Sequence, residues 1–166
     1  MSILNLDDAL SQSLATTEAA PDFVTPENGT YIFEVADTGA EQKDTKDPKK
    51  AQAEGKPLKY IVLKLTYKIT DIVEQEGAPI KPGSLTSEQF ILNDASLPYF
   101  KARIRDIAVA AGGTAEDVDG LSIKEALEAV KGIAFKVNAK QNKRTVDGNE
   151  MINVRYSNIR SVEADE

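Results

Sequence analysis

The chain has 166 residues, 41% of them hydrophobic, with a formal net charge of −7, which suits one domain with a real core plus tails. It contains neither cysteine nor histidine. That excludes a disulfide framework, thiolate metal sites, the commonest general base and zinc ligand, and a Ser-His-Asp triad.

The charge is unevenly spread. Residues 1–42 carry eight acids and no Lys or Arg, and residues 43–68 carry eight lysines against three acids. Residues 133–160 carry six basic residues against two acids, and residues 161–166 carry three acids. Like charges clustered on two segments of an acidic chain sum to a field that attracts a polyanion.

In chain order, residues 1–22 read as a flexible acidic tail. Ile3, Leu4, Leu6, Leu10 and Leu14 supply one or two amphipathic turns, with docking on a neighbour as the alternative. The opening MSILNLDDALSQSL lacks the basic residues and long apolar run of a secretory signal, and no stretch approaches a membrane span. A cytoplasmic location is therefore expected.

A first strand is predicted over 30–37, where Tyr31, Phe33 and Val35 alternate with Thr30, Ile32 and Glu34 after the turn signal Asn28-Gly29. Residues 38–57 have no apolar period and read as a long mobile loop. The second strand, 58–72, has the longest alternation. Ile61, Leu63, Leu65, Tyr67 and Ile69 take the core face, and Tyr60, Val62, Lys64, Thr66 and Lys68 the outer one. Residues 74–84 turn the chain into a third strand at 85–92.

The period then changes. Leu97, Phe100, Ile104, Ile107, Ala108 and Ala111 recur at helical spacing, with Asp94 or Ser96 as the cap and Gly112-Gly113 as the stop. A second helix starts at Ser122, which forms a capping-box pair with Glu125. Two strands close the chain: 133–140, with Ile133, Phe135, Val137 and Ala139 on one face, and 151–159. A turn at Asp147-Gly148 lies between them.

Three strands, helices, then two strands is the order of a mainly β five-stranded Greek-key OB-fold barrel. The strand 2–3 face of that fold, with its 1–2 and 4–5 loops, binds oligonucleotides. Both basic blocks fall on those segments. The expected domain is 23–160, between the acidic tails 1–22 and 161–166.

The chain resembles the OB-fold single-stranded DNA-binding proteins of bacteriophages. The resemblance rests on Gly29-Thr-Tyr-Ile-Phe-Glu-Val, the lysine-rich segment after it, and Leu58-Lys-Tyr-Ile-Val-Leu-Lys-Leu-Thr-Tyr. It continues with the 97–113 helix ending Ala-Ala-Gly and with Val130-Lys-Gly, and covers roughly residues 23–162. It implies a host-cytoplasmic protein of DNA replication, recombination or repair. The end Val162-Glu-Ala-Asp-Glu is similar to the acidic tails by which such proteins contact replication partners, although it lacks their apolar tip.

Binding unpaired strands requires a cationic track for phosphates and aromatic faces for bases. The track residues are Lys43, Lys46, Lys49, Lys50, Lys56, Lys59, Lys64 and Lys68, with Lys136, Lys140, Lys143, Arg144 and Arg155. Tyr60, on the outer face of strand 2, is the stacking residue, whereas Phe90 and Tyr156 read as core. Asp117 with Asp119, or Asp7 with Asp8, could in principle hold Mg²⁺, but scattered loop acids usually just solvate. Gly112-Gly113 lacks the Gly-Lys-Ser/Thr of a phosphate loop.

The expectation is a non-enzymatic single-stranded DNA-binding protein of low sequence preference, with no cofactor, metal or membrane. Its partners would be single-stranded DNA and, through the acidic C-terminus, replication or recombination proteins. The alternative is a β-barrel interaction protein, either a virion component or an acidic mimic of DNA.

Overall fold

Strict alternation forms strands, and the shift to helical spacing after residue 96 ends the first sheet segment. The computed structural model describes residues 7, 10, 11, 20–45, 47–56, 58–77 and 79–164. The chain runs β1 (Gly29–Asp44), α1 (Pro48–Ala53), β2 (Lys59–Gln75), β3 (Leu85–Ile91), α2 (Leu97–Ala110), α3 (Glu116–Asp119), α4 (Ile123–Ala129), β4 (Ala134–Val146) and β5 (Asn149–Arg160). The strands form one antiparallel sheet in the order β3-β2-β1-β4-β5.

The sheet curls. In a flat sheet β2 and β5 would lie three strand spacings apart, about 14 Å. The Tyr67 and Tyr156 rings that they carry nevertheless lie 6.2 Å apart between centroids. Phe33 stacks on Tyr67 at 5.3 Å and meets Phe135 and Tyr156 edge-on, so four strands converge on one aromatic cluster. Register shifts at Val35/Asp37 of β1, and at two further points along the β1–β2 ladder, give the strands the local bend this requires. Helix α2 seals the cluster with Phe100, Ile104 and Ile107, and α4 adds Ala126 and Leu127.

The sequence led to a closed barrel, but the sheet is not closed: no ladder joins β3 to β5 among the described residues. Instead the segment before β1 pairs in parallel with the start of β3. Val24 donates its N–H to the Leu85 carbonyl, and the Leu85 N–H donates to the Asp22 carbonyl, both at 2.8 Å. Side chains span the rest of the gap. Thr86 and Tyr156 share a 3.1 Å hydrogen bond, and Arg103 of α2 pairs with Glu88 of β3 while donating to the Tyr156 carbonyl of β5. Burial pushes the Tyr156 phenol up to about 12, with Glu88 adding to the rise and the Thr86 bond opposing it. Tyr67, buried and hydrogen-bonded to Glu88, is also raised.

Several boundaries move. Residues 38–44, expected as loop, continue β1 and pair with 59–65 of β2, and residues 48–53 form α1. The 38–44 strand of this ribbon is small or polar throughout and mostly exposed, the buried Leu63 and Leu65 coming from its β2 partner, so it shows no apolar period. β4 likewise runs on to Val146 before the Asp147-Gly148 turn. The Ser122–Glu125 capping box is present in both directions. Ser96 makes no side-chain cap; the Asn93 carboxamide accepts its backbone N–H instead. Val62, expected on the outer face, is 5% exposed between Glu41 and Ile91, whereas Ile61 is exposed. Most of the expected tail 1–22 lies outside the described residues.

Candidate nucleic-acid interface

Directly opposed residues in an antiparallel pair project to the same side, so the register fixes what shares the outer face. Across β1, β2 and β3 the rows are Gly39–Lys64–Gln89, Asp37–Thr66–Ser87 and Glu34–Lys68–Leu85, with Lys43 opposite Tyr60 further out. On the other flank of β1, Ile32 opposes Lys136, which opposes Arg160, and Lys140 opposes Arg155.

Lys68 and Lys136 therefore share a face two strand spacings and one row apart, roughly 12 Å, with Glu34 of β1 beside Lys68 in its row. Lys64 and Lys140 are not brought together along β1. Lys64 lies opposite Gly39, and Lys140 lies just past the Gly29–Ala139 pair, a strand length on the order of 30 Å.

The two basic blocks form ribbons running off opposite ends of β1. On the β1–β2 ribbon, Lys49 and Lys50 are exposed on α1, Lys59 is exposed opposite Asp44, and Lys56 pairs with Glu54 at 2.9 Å. Lys46 lies outside the described residues. On the β4–β5 ribbon, Lys140, Arg144 and Arg155 are exposed, and Lys143 lies 3.9 Å from Glu150. Lys136 is engaged: its ammonium donates to the Ala164 carbonyl at 2.5 Å, drawing the C-terminal segment onto the basic flank. Tyr60 is half-buried, Tyr156 is core, and Phe90 packs edge-on against Phe100.

Sequence reasoning missed Phe23. Held on the edge of β3, it is 60% exposed, and the Lys64 ammonium lies 5.4 Å from its ring centroid. It lines a cleft of about 360 Å³ with Ser87 of β3 and Ile152, Asn153 and Tyr156 of β5. The β2–β3 face and the β4–β5 ribbon thus approach each other across the open side of the sheet. A lone aromatic after an acidic leader carries no periodicity that would mark it. Tyr99, 72% exposed on α2, was likewise not singled out.

Acids also lie on this face. Asp37 and Glu41 border a shallow hollow with Lys64 and Thr66. Among the described residues no cluster of three or more Asp or Glu is arranged to hold a metal ion, and no helix is long and apolar enough to cross a membrane. Asp119, one of the acids considered for metal, is instead bonded to Arg105 and Lys101, which hold its carboxyl below the usual range. No protein-family model matches the chain, and no curated protein is significantly similar to it.

Proposed function

We propose that the chain is a non-enzymatic single-stranded DNA-binding protein. It would coat and protect unpaired DNA during replication, recombination or repair, with little sequence preference. Its domain would be an OB-type barrel left open between β3 and β5. The strand order, the curl and the helices between β3 and β4 support that reading of the fold.

One observation carries the functional reading: Lys64 and Lys68 stand on the outer face of β2, with a lysine-bearing ribbon at either end of the sheet. Phosphates neutralised along this track release condensed counterions, and Tyr60 offers a ring to a base. The β1–β2 ribbon with α1 closes over the bound strand.

The test is fluorescence anisotropy of labelled oligo-dT between about 50 and about 200 mM salt. Roughly six neutralised phosphates should cost about two to three orders of magnitude in affinity. Absence of binding at low salt would favour a second reading, an acidic interaction protein that imitates DNA. Asp37, Glu41 and Glu34 on the same face are the observation behind that alternative.

A further inference from the structure

We propose that Phe23 and the cleft beside it form a subsite for one unpaired nucleobase, stacked on the ring where the strand crosses from the β2–β3 face to the β4–β5 ribbon. This rests on the single-stranded DNA reading above and assigns a position within it.

A ring of this size is ordinarily buried, yet Phe23 is 60% exposed. It is not loosely held. Backbone hydrogen bonds of its two neighbours, Asp22 and Val24, to Leu85 fix the segment on both sides of the ring. A platform fixed before binding loses little freedom when a base lands on it. The Lys64 ammonium stands over the ring, 5.4 Å from the centroid, so a base takes the opposite face or displaces it, and the charge stays close enough to neutralise the phosphate of the stacked nucleotide.

The cleft suits a base better than a phosphate. Its volume of about 360 Å³ lies in the range that holds small organic ligands. Its lining contains no charged side chain, whereas the neighbouring hollow on the outer face is bordered by Asp37 and Glu41. Ser87 and Asn153 supply hydroxyl and carboxamide groups. The walls are the two edge strands of the sheet, so backbone groups are also at hand. Such a mixture accepts any base and matches low sequence preference.

The test uses the full chain and labelled oligo-dT, with an abasic strand of equal length as the second probe. Phe23→Ala should weaken oligo-dT binding by between about five- and 150-fold, the range for losing one stacked base, while leaving the salt slope and the abasic-strand affinity unchanged. Phe23→Leu, which keeps apolar contact with β3, should behave as Phe23→Ala does. The chain has no tryptophan, so Phe23→Trp supplies a single indole whose emission should be quenched by oligo-dT and not by the abasic strand.

If wild type binds oligo-dT but Phe23→Ala or Phe23→Leu binds it equally well, the subsite is wrong and the broader reading stands. An equal loss on the abasic strand also overturns the subsite, because the ring then acts by anchoring the segment. If wild type does not bind oligo-dT at all, both fall.

Discussion

Arg103 and Glu88 pair at 2.8 Å between Nε and Oε1, both largely buried, on the side of the sheet where no ladder runs. The same guanidinium donates to the Tyr156 carbonyl at 3.1 Å, and Glu88 accepts from the Tyr67 hydroxyl at 2.6 Å. One helix side chain thereby links β2, β3 and β5. Removing one partner leaves the other charge buried without compensation. Arg103→Met should therefore destabilise the domain by about 2–4 kcal/mol, read as a lower urea midpoint. Arg103→Met combined with Glu88→Gln should recover part of that loss, because no unpaired charge remains.

Alkali should find a specific weakness. Burial raises Tyr31 to about 12, with the Glu27 charge assisting; Tyr156 rises to about 12 and Tyr67 also rises. A raised phenol favours the protonated form in the folded state. Its contribution is complete below the ordinary value near 10 and is lost as pH climbs through about 12. Urea midpoints should fall across that window. Tyr156→Phe, which removes one such phenol, should make the fall shallower, and an unchanged slope would contradict the assignment.

Gly29 opens β1 where the backbone of β2 comes very near. A Cβ there would sit 2.9 Å from the Gln75 Cα and even closer to the Glu74 carbonyl oxygen. Neither neighbour is a side chain that can swing away. Gly29→Ala should therefore cost about 1–3 kcal/mol, the usual range for overpacking, measured by thermal or urea unfolding. Gly39→Ala, in the same strand with nothing within 4 Å of the added carbon, is the matched control and should be near neutral.

The bond from Lys136 to Ala164 holds the segment through Ala164 against a residue of the proposed phosphate track. On the single-stranded DNA reading, deleting residues 161–166 should tighten oligo-dT binding at low salt and matter less as salt screens the charges. Lys136→Ala should make the deletion smaller in effect. A deletion that changes neither DNA affinity nor the binding of protein partners would leave the tail without a role.

Much of this was legible in the residues, and the exceptions have physical causes. The alternation through Leu63, Leu65, Tyr67 and Ile69, the Ser122–Glu125 box and the Asp147-Gly148 turn are local signals, and each stands where it was expected. Residues 38–44 gave no such signal, because they are small or polar and mostly face solvent, and the buried apolar side chains at that level, Leu63 and Leu65, come from β2. Charge clustering located the lysines but not their spacing, since register shifts and curl decide which rows meet. That is why Lys68 falls near Lys136 while Lys64 meets Phe23 instead.

The seam between β3 and β5 also sets how the fold should yield. Everywhere else, separating two strands means breaking a row of backbone bonds together. Along the seam, apart from the short Asp22–Val24 bridge to Leu85, the restraints are a few side-chain contacts that give way one at a time. Force or denaturant should part the domain there first, exposing the aromatic cluster while the four remaining interstrand ladders stay zipped. Amide deuterium uptake along β3 and β5 would then outpace that of β1, whose neighbours flank it on both sides.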